Sequence, residues 1–199
     1  YGLPEEMNLT PGTIQGHANG FGFLVPAKPG EGDIYISRRN MADAMHRDKV
    51  VIRIEAQRGY ERPEGRVIRI LERKTTALAG VYEPLDSNGW VAPSESRYFH
   101  NVFIASKNRN GAKKGQLVSV EILEYPTRNT PPTGKVVEIL GYSNDPDAEI
   151  RSIIHGRGFH TEFPCEVTRE AKRLSAQLEP EERSLRRDLT GWTIFTIDG

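Results

Sequence analysis

The chain lacks the features that mark a membrane protein, a disulfide scaffold or a freestanding polycation. It holds one cysteine, Cys165, in 199 residues, so no internal disulfide framework can form. No apolar run approaches the roughly 20 residues of a membrane span, and nothing resembles a secretory signal. Membrane partners are therefore not expected, and the expected setting is reducing and cytoplasmic. Net charge is missing as well: 27 Lys and Arg balance 27 Asp and Glu, so any basic footprint for nucleic acid must be local. The chain opens at Tyr1 without a methionine and stops at Asp198-Gly199 directly after an apolar run, so it is expected to be a piece of something longer.

What the sequence does contain is a repeat. Gly12-Thr13-Ile14, Gly20-Phe21-Gly22-Phe23-Leu24-Val25-Pro26, Asp33-Ile34-Tyr35-Ile36-Ser37, Asp48-Lys49-Val50-Val51-Ile52 and Gly65-Arg66-Val67-Ile68 form the first copy. Gly80-Val81-Tyr82, Gly89-Trp90-Val91-Ala92-Pro93, Asn101-Val102-Phe103-Ile104, Gly115-Gln116-Leu117-Val118 and Gly134-Lys135-Val136-Val137 answer it at an offset of roughly 68 residues. An offset that long is a whole small domain. Within each copy Ile34 and Ile36 alternate with Tyr35 and Ser37, or Val102 and Ile104 with Phe103, the period-two pattern of half-buried strands. About five short β-branched runs per copy, broken by Gly and Pro turns, give the strand count of an OB-type barrel.

The pattern changes after Gly141. Asp145 is placed to cap a helix whose first residue is Pro146, with Asp147 and Glu149 complementing the dipole, Ile150, Ile153 and Ile154 at helical spacing, and Gly156 or Gly158 ending it. A second helix is expected from about Pro164, with Val167, Ala171, Leu174 and Leu178 at helical spacing, ending before Pro180. Trp192 to Asp198 reads as a strand delivering a carboxylate at its end. The division is then a linker over 1–10, one barrel over 11–74, a second over 75–142, and the truncated start of an α/β domain over 143–199. The fold class is mainly β.

The chemistry lies in the aromatic residues. Phe21 and Phe23 share one strand face and Tyr35 lies on the next strand, while Leu24, Ile34 and Ile36 supply core residues of opposite parity. Three rings on an outward face stack successive bases of a single strand, each worth about 1–3 kcal/mol; the competing reading packs them into a core. In the second copy Trp90 replaces Phe23 and Phe103 replaces Tyr35, but Asn88 stands where Phe21 would be. Lys28 and Arg38, flanking the first strand pair, are the candidate phosphate contacts. Arg66 with Arg69, Lys113-Lys114 and Arg186-Arg187 are more simply solvated faces. His155 and His160 are spaced wrongly for zinc on one helix face, Gly20-Phe21-Gly22 lacks the third glycine of a dinucleotide fingerprint, and Cys165 has no activating neighbour.

Gly20-Phe21-Gly22-Phe23 and Asp33-Ile34-Tyr35-Ile36 resemble the two RNA-binding motifs of cold-shock domains. Two such domains in tandem, followed by Arg187-Asp188-Leu189 and Thr196-Ile197-Asp198-Gly199, resemble the front half of the ribonuclease II and ribonuclease R family. That resemblance implies processive, hydrolytic 3′-to-5′ degradation of single-stranded RNA, with clustered aspartates holding Mg²⁺. Asp198 matches the first of those aspartates, as both catalytic and metal residue. Because the others would follow Gly199, the 199 residues alone are expected to be inactive. The alternatives are a non-enzymatic cold-shock-type binding or chaperone module, and a second barrel that serves as a structural spacer. No residue pattern speaks to ribosome or degradation-machinery contacts.

Overall fold

Strand parity decides the architecture. In the computed structural model, which describes residues 8–55, 63–127, 129–156, 159, 163–174 and 185–197, the first copy forms β1 (Leu9–Gly16), β2 (Gly22–Pro26), β3 (Ile34–Ile36), β4 (Lys49–Glu55) and β5 (Glu64–Glu72). The second forms β6 (Ala77–Leu85), β7 (Asn88–Pro93), β8 (Val102–Ile104), β9 (Gln116–Glu124) and β10 (Thr133–Tyr142). Both close in the same order, β1-β2-β3-β5-β4 and β6-β7-β8-β10-β9. The closing step is a parallel pair in each case, Tyr35 beside Glu64 in one and Phe103 beside Thr133 in the other. Closure removes the exposed sheet edges that would otherwise template aggregation. The structure is thus mainly β, with two five-stranded barrels, as the repeat predicts.

Strands of the first barrel bury alternate residues, whereas β6 and β9 of the second bury runs of three and four. Ile14, Leu24, Ile36, Val50 and Ile52 are fully buried in the first, and Tyr82, Val91, Ile104, Val118 and Val120 occupy the matching places in the second. The barrels are narrow enough that Gly65 and Gly134 admit no side chain: a Cβ at either would lie 2.5 Å from Ile52 Cδ1 or Val120 Cγ1. Strand β1 begins at Leu9, inside the stretch expected to be linker, because Leu9 to Thr13 pair with Arg53 to Lys49 on β4.

The barrels share a seam. Met45 of the first barrel is buried in the core of the second, and Phe99 of the second packs against the core of the first. Gly16 meets the Arg97 carbonyl so closely that a Cβ there would sit 2.5 Å from it. Buried His46 accepts the Gly16 N–H at Nδ1 (3.3 Å) and lies with Nε2 3.7 Å from Glu95. Burial holds its pKa below the usual histidine value, more than Glu95 raises it.

Helix α1 (Pro146–Gly156) starts as expected, with Asp145 Oδ1 accepting the Asp147 N–H at 3.0 Å. It packs on the second barrel through small residues. Ala148 is fully buried with Ala79, Leu117 and Leu140, and Ser152 donates to Ser94 Oγ at 3.4 Å, whereas Ile150 and Ile153 are exposed. The barrels and α1 lie in one compact unit, Tyr1–Thr161.

The second unit is Glu162–Gly199. Its helix α2 runs over Cys165–Arg173 and buries none of its residues; Leu174 is its C-cap, and Leu178 lies outside the described residues. No strand forms over 192–197. A strand exists only when a neighbour pairs with its backbone, and the described residues offer this segment none. Instead Asp188 accepts both the N–H and the hydroxyl of Thr190, at 2.9 and 2.7 Å, and the Arg187 guanidinium lies 5.4 Å from the Trp192 ring centroid.

Candidate nucleic-acid interface

The inward parity of Leu24, Ile34 and Ile36 forces Phe23 and Tyr35 outward, and the β2–β3 register sets them directly opposite each other. Their ring centroids are 5.9 Å apart. Phe21, just before β2, stands 5.8 Å from Phe23 and 5.6 Å from Tyr35. All three rings are half-buried, each presenting part of its surface to solvent. Rings packed edge to face in this way hold one another in place without filling the core.

A fourth ring, which no pattern in the sequence marks, belongs to this surface. His17 is exposed and stacks on Phe21 with centroids 4.1 Å apart and planes 14° from parallel. Its Nδ1 accepts the Asn19 N–H at 3.2 Å, which fixes the turn and directs the Nε2 position away from it. Among polyaromatic motifs a lone turn histidine carries no periodic signal, so only the folded turn reveals it.

The candidate phosphate contacts are placed differently from one another. Arg38 opens a short 3-10 turn (Arg38–Asn40) and its stem lies over Gly20, where a Cβ would come within 2.9 Å. Gly20 holds φ +86°, so glycine serves both the turn and the arginine beside Phe21. Lys28 is exposed in the β2–β3 loop with its Nζ 3.8 Å from Glu31, a weak surface pair. On the opposite flank, Glu64 next to Tyr35 and Glu55 converge on the buried Asn40 amide at 3.0 and 3.4 Å, and Arg66 pairs with Glu55 at 2.9 Å. The surface therefore has a basic side at Arg38 and an acidic side at Glu64.

On the second barrel Trp90 faces Phe103 across β7–β8 with centroids 5.2 Å apart. Asn88 explains the missing third ring: its Oδ1 accepts the Ser106 N–H at 3.0 Å, and its carbonyl accepts the Tyr82 hydroxyl at 3.3 Å. Structure has taken the position. His100 reaches the first barrel from this side, its pKa lowered by burial and then by the charge of Arg38. Asp198 lies outside the described residues. Among the described residues no three His, Cys, Asp or Glu side chains gather where a metal ion could sit, and no helix is long and apolar enough to cross a membrane.

Comparison with known proteins gives this geometry a family. Residues 12–70 match the Ribonuclease B OB domain and residues 90–164 the Cold shock domain. Ribonuclease R of Acidithiobacillus ferrooxidans is 34% identical over 201 residues, covering 100% of this chain and 46% of the relative. That of Thermotoga maritima is 36% identical over 195 residues, covering 96% and 27%. Over its whole length the chain is homologous to part of ribonuclease R. It spans from about a quarter to about half of the length of these relatives, 27% and 46% in these two. Among solved structures, Mycoplasma genitalium RNase R in complex with ribose-methylated single-stranded RNA has TM-score 0.66 at 20% identity, covering 90% of this chain and 29% of that one. Yeast Ssd1, described as a pseudonuclease, has TM-score 0.65 at 18% identity, covering 79% and 26%. At these identities the two likenesses establish the fold alone.

Proposed function

We propose that this chain is the RNA-binding portion of a hydrolytic, processive 3′-to-5′ exoribonuclease, in which tandem barrels guide single-stranded RNA toward a magnesium-dependent catalytic domain. The observation that carries the reading is the cluster of Phe21, Phe23 and Tyr35 with His17, turned outward on a barrel of a chain homologous to part of ribonuclease R. Bases stack on such rings whatever their sequence, which suits an enzyme that must accept every nucleotide in turn. Arg38 and Lys28 take the phosphates. Trp90 and Phe103 add a smaller second surface. Magnesium, held by Asp198 together with carboxylates of the complete protein, would offset charge developing on the scissile phosphate. A cytoplasmic setting agrees with this role.

The test uses both the 199-residue chain and its complete parent. The chain should bind 5′-labelled single-stranded RNA and leave its length unchanged in Mg²⁺. The parent should shorten the same RNA from its 3′ end, and Asp198→Asn should abolish shortening while binding persists. Shortening by the chain alone would move the active site elsewhere. A second reading, a non-enzymatic binding or chaperone module, would use the same outward rings; a complete parent that binds RNA without shortening it would select that reading.

A further inference from the structure

Residues 73–76, Arg-Lys-Thr-Thr, join β5 to β6 and look like a flexible polar joint. Every one of them is tied down. The Arg73 guanidinium donates through Nη1 to Asp48 Oδ2 and to the Asp43 carbonyl, both at 2.7 Å, and lies 4.2 Å from the Tyr125 ring centroid. The Lys74 N–H donates to Asp48 Oδ1 at 3.2 Å. Thr75 Oγ1 donates to the His46 carbonyl at 3.0 Å and meets the Tyr98 hydroxyl at 3.1 Å, while Tyr125 donates its hydroxyl to the Thr75 carbonyl at 3.1 Å. The Thr76 carbonyl accepts the Ile122 N–H at 2.8 Å. These bonds reach both barrels from both sides.

The repeat shows which of these groups is special. Asp48 Oδ2 accepts the Met45 N–H at 2.9 Å, and at the matching place in the second barrel Gln116 Oε1 accepts the Lys113 N–H at 2.8 Å. A neutral amide therefore suffices for the turn. The charge of Asp48, on a side chain with no solvent exposure, serves Arg73 instead. Burying such a pair costs desolvation that offsets much of its attraction, so its best-attested use is to fix one arrangement rather than to add stability.

We propose that Arg73, held by Asp48 and Tyr125, is a positioning residue that locks the two barrels into one rigid body, so that the two aromatic surfaces engage one RNA strand at a fixed spacing. Preorganisation of this kind raises affinity only for a ligand long enough to touch both surfaces. The inference rests on the RNA reading above.

Two measurements test it on the 199-residue chain. Spin labels at Glu31→Cys and Lys107→Cys, with Cys165→Ser, report the inter-barrel distance distribution. Binding of oligouridylate of about 5 and about 16 nucleotides, lengths within the range covered by one and by two OB barrels, reports the coupling. The unaltered lock should give a narrow distribution and bind the longer strand at least about 10-fold more tightly than the shorter. Arg73→Met should broaden the distribution and cut that advantage below about 3-fold, with short-strand affinity unchanged within about 2-fold. Asp48→Asn keeps an acceptor for the Met45 N–H, so it protects the turn and should act the same way. A distribution that stays narrow in both variants overturns the lock, and so does a broadened one with the long-strand advantage intact. If the short strand fails to bind the unaltered chain, the RNA reading falls, while the distance distribution still decides the lock.

Discussion

His17 lies flat on Phe21, ring centroids 4.1 Å apart and planes 14° from parallel, so one face of Phe21 is already occupied. A base arriving at that end of the surface meets an imidazole rather than a phenyl ring. His17→Ala should weaken single-strand binding by about 1 kcal/mol and change stability by less than about 0.5 kcal/mol, as exposed substitutions do. Tighter binding by the variant would mean that His17 shields Phe21 instead of extending it.

Replacing Phe21, Phe23 or Tyr35 with alanine should each cost about 1–3 kcal/mol of affinity for single-stranded RNA with little loss of thermal stability. Trp90→Ala and Phe103→Ala should cost less affinity. By contrast Leu24→Ala, one residue along from Phe23 and fully buried, should destabilise the fold by about 2–5 kcal/mol. Melting and binding measured on the same variants separate the two kinds of position, and unfolding of the Phe23 variant to the degree of the Leu24 variant would return the rings to the core.

With equal numbers of basic and acidic residues, 27 of each, the chain has only a few cations to offer phosphates. Its affinity should fall with salt along a shallow line, each phosphate contact contributing about 0.7 to the slope on single strands. Arg38→Ala should therefore reduce the slope by about 0.7. An unchanged slope would exclude Arg38 from the phosphate path.

Stability should depend on pH through His46. Its folded pKa lies below the ordinary value of 6.5, burial being the main cause, so the native state resists the proton that the unfolded chain accepts. The contribution is fully present above pH 6.5 and is lost as pH falls from there toward the lowered folded value. Protonation would also place a proton on Nδ1, which now accepts the Gly16 N–H. Melting temperature between pH 8 and 5 should fall more steeply for the native chain than for His46→Gln; parallel curves would remove His46 from the account.

Much of this was legible in the sequence for a physical reason. The alternation of Ile34, Tyr35 and Ile36 states which side of a strand faces the core, so the outward set of Phe23 and Tyr35 follows without knowledge of the barrel's closure. Asp145 and Pro146 announce their helix locally. The remainder depends on partners far along the chain. His17 and Asn88 are turn residues whose tasks appear only when Phe21 and Ser106 are brought beside them. Trp192 to Ile197 carries strand propensity, but a strand also needs a neighbour, and the described residues hold none for it. The packing of α1 through Ala148 and Ser152 rather than its isoleucines reflects a surface on the second barrel that no helix periodicity encodes.

The seam makes the two copies unequal in a way their shared topology conceals. Gly16, His46 and Asp48 on the first barrel correspond by strand register to Pro84, Lys114 and Gln116 on the second. The junction thus has a polarity: one barrel supplies a socket of glycine, buried imidazole and carboxylate, and the other supplies the loop that enters it. Exchanging the barrels in order along the chain would set a proline and a lysine at the junction, and a third copy appended after the second would find no socket to enter.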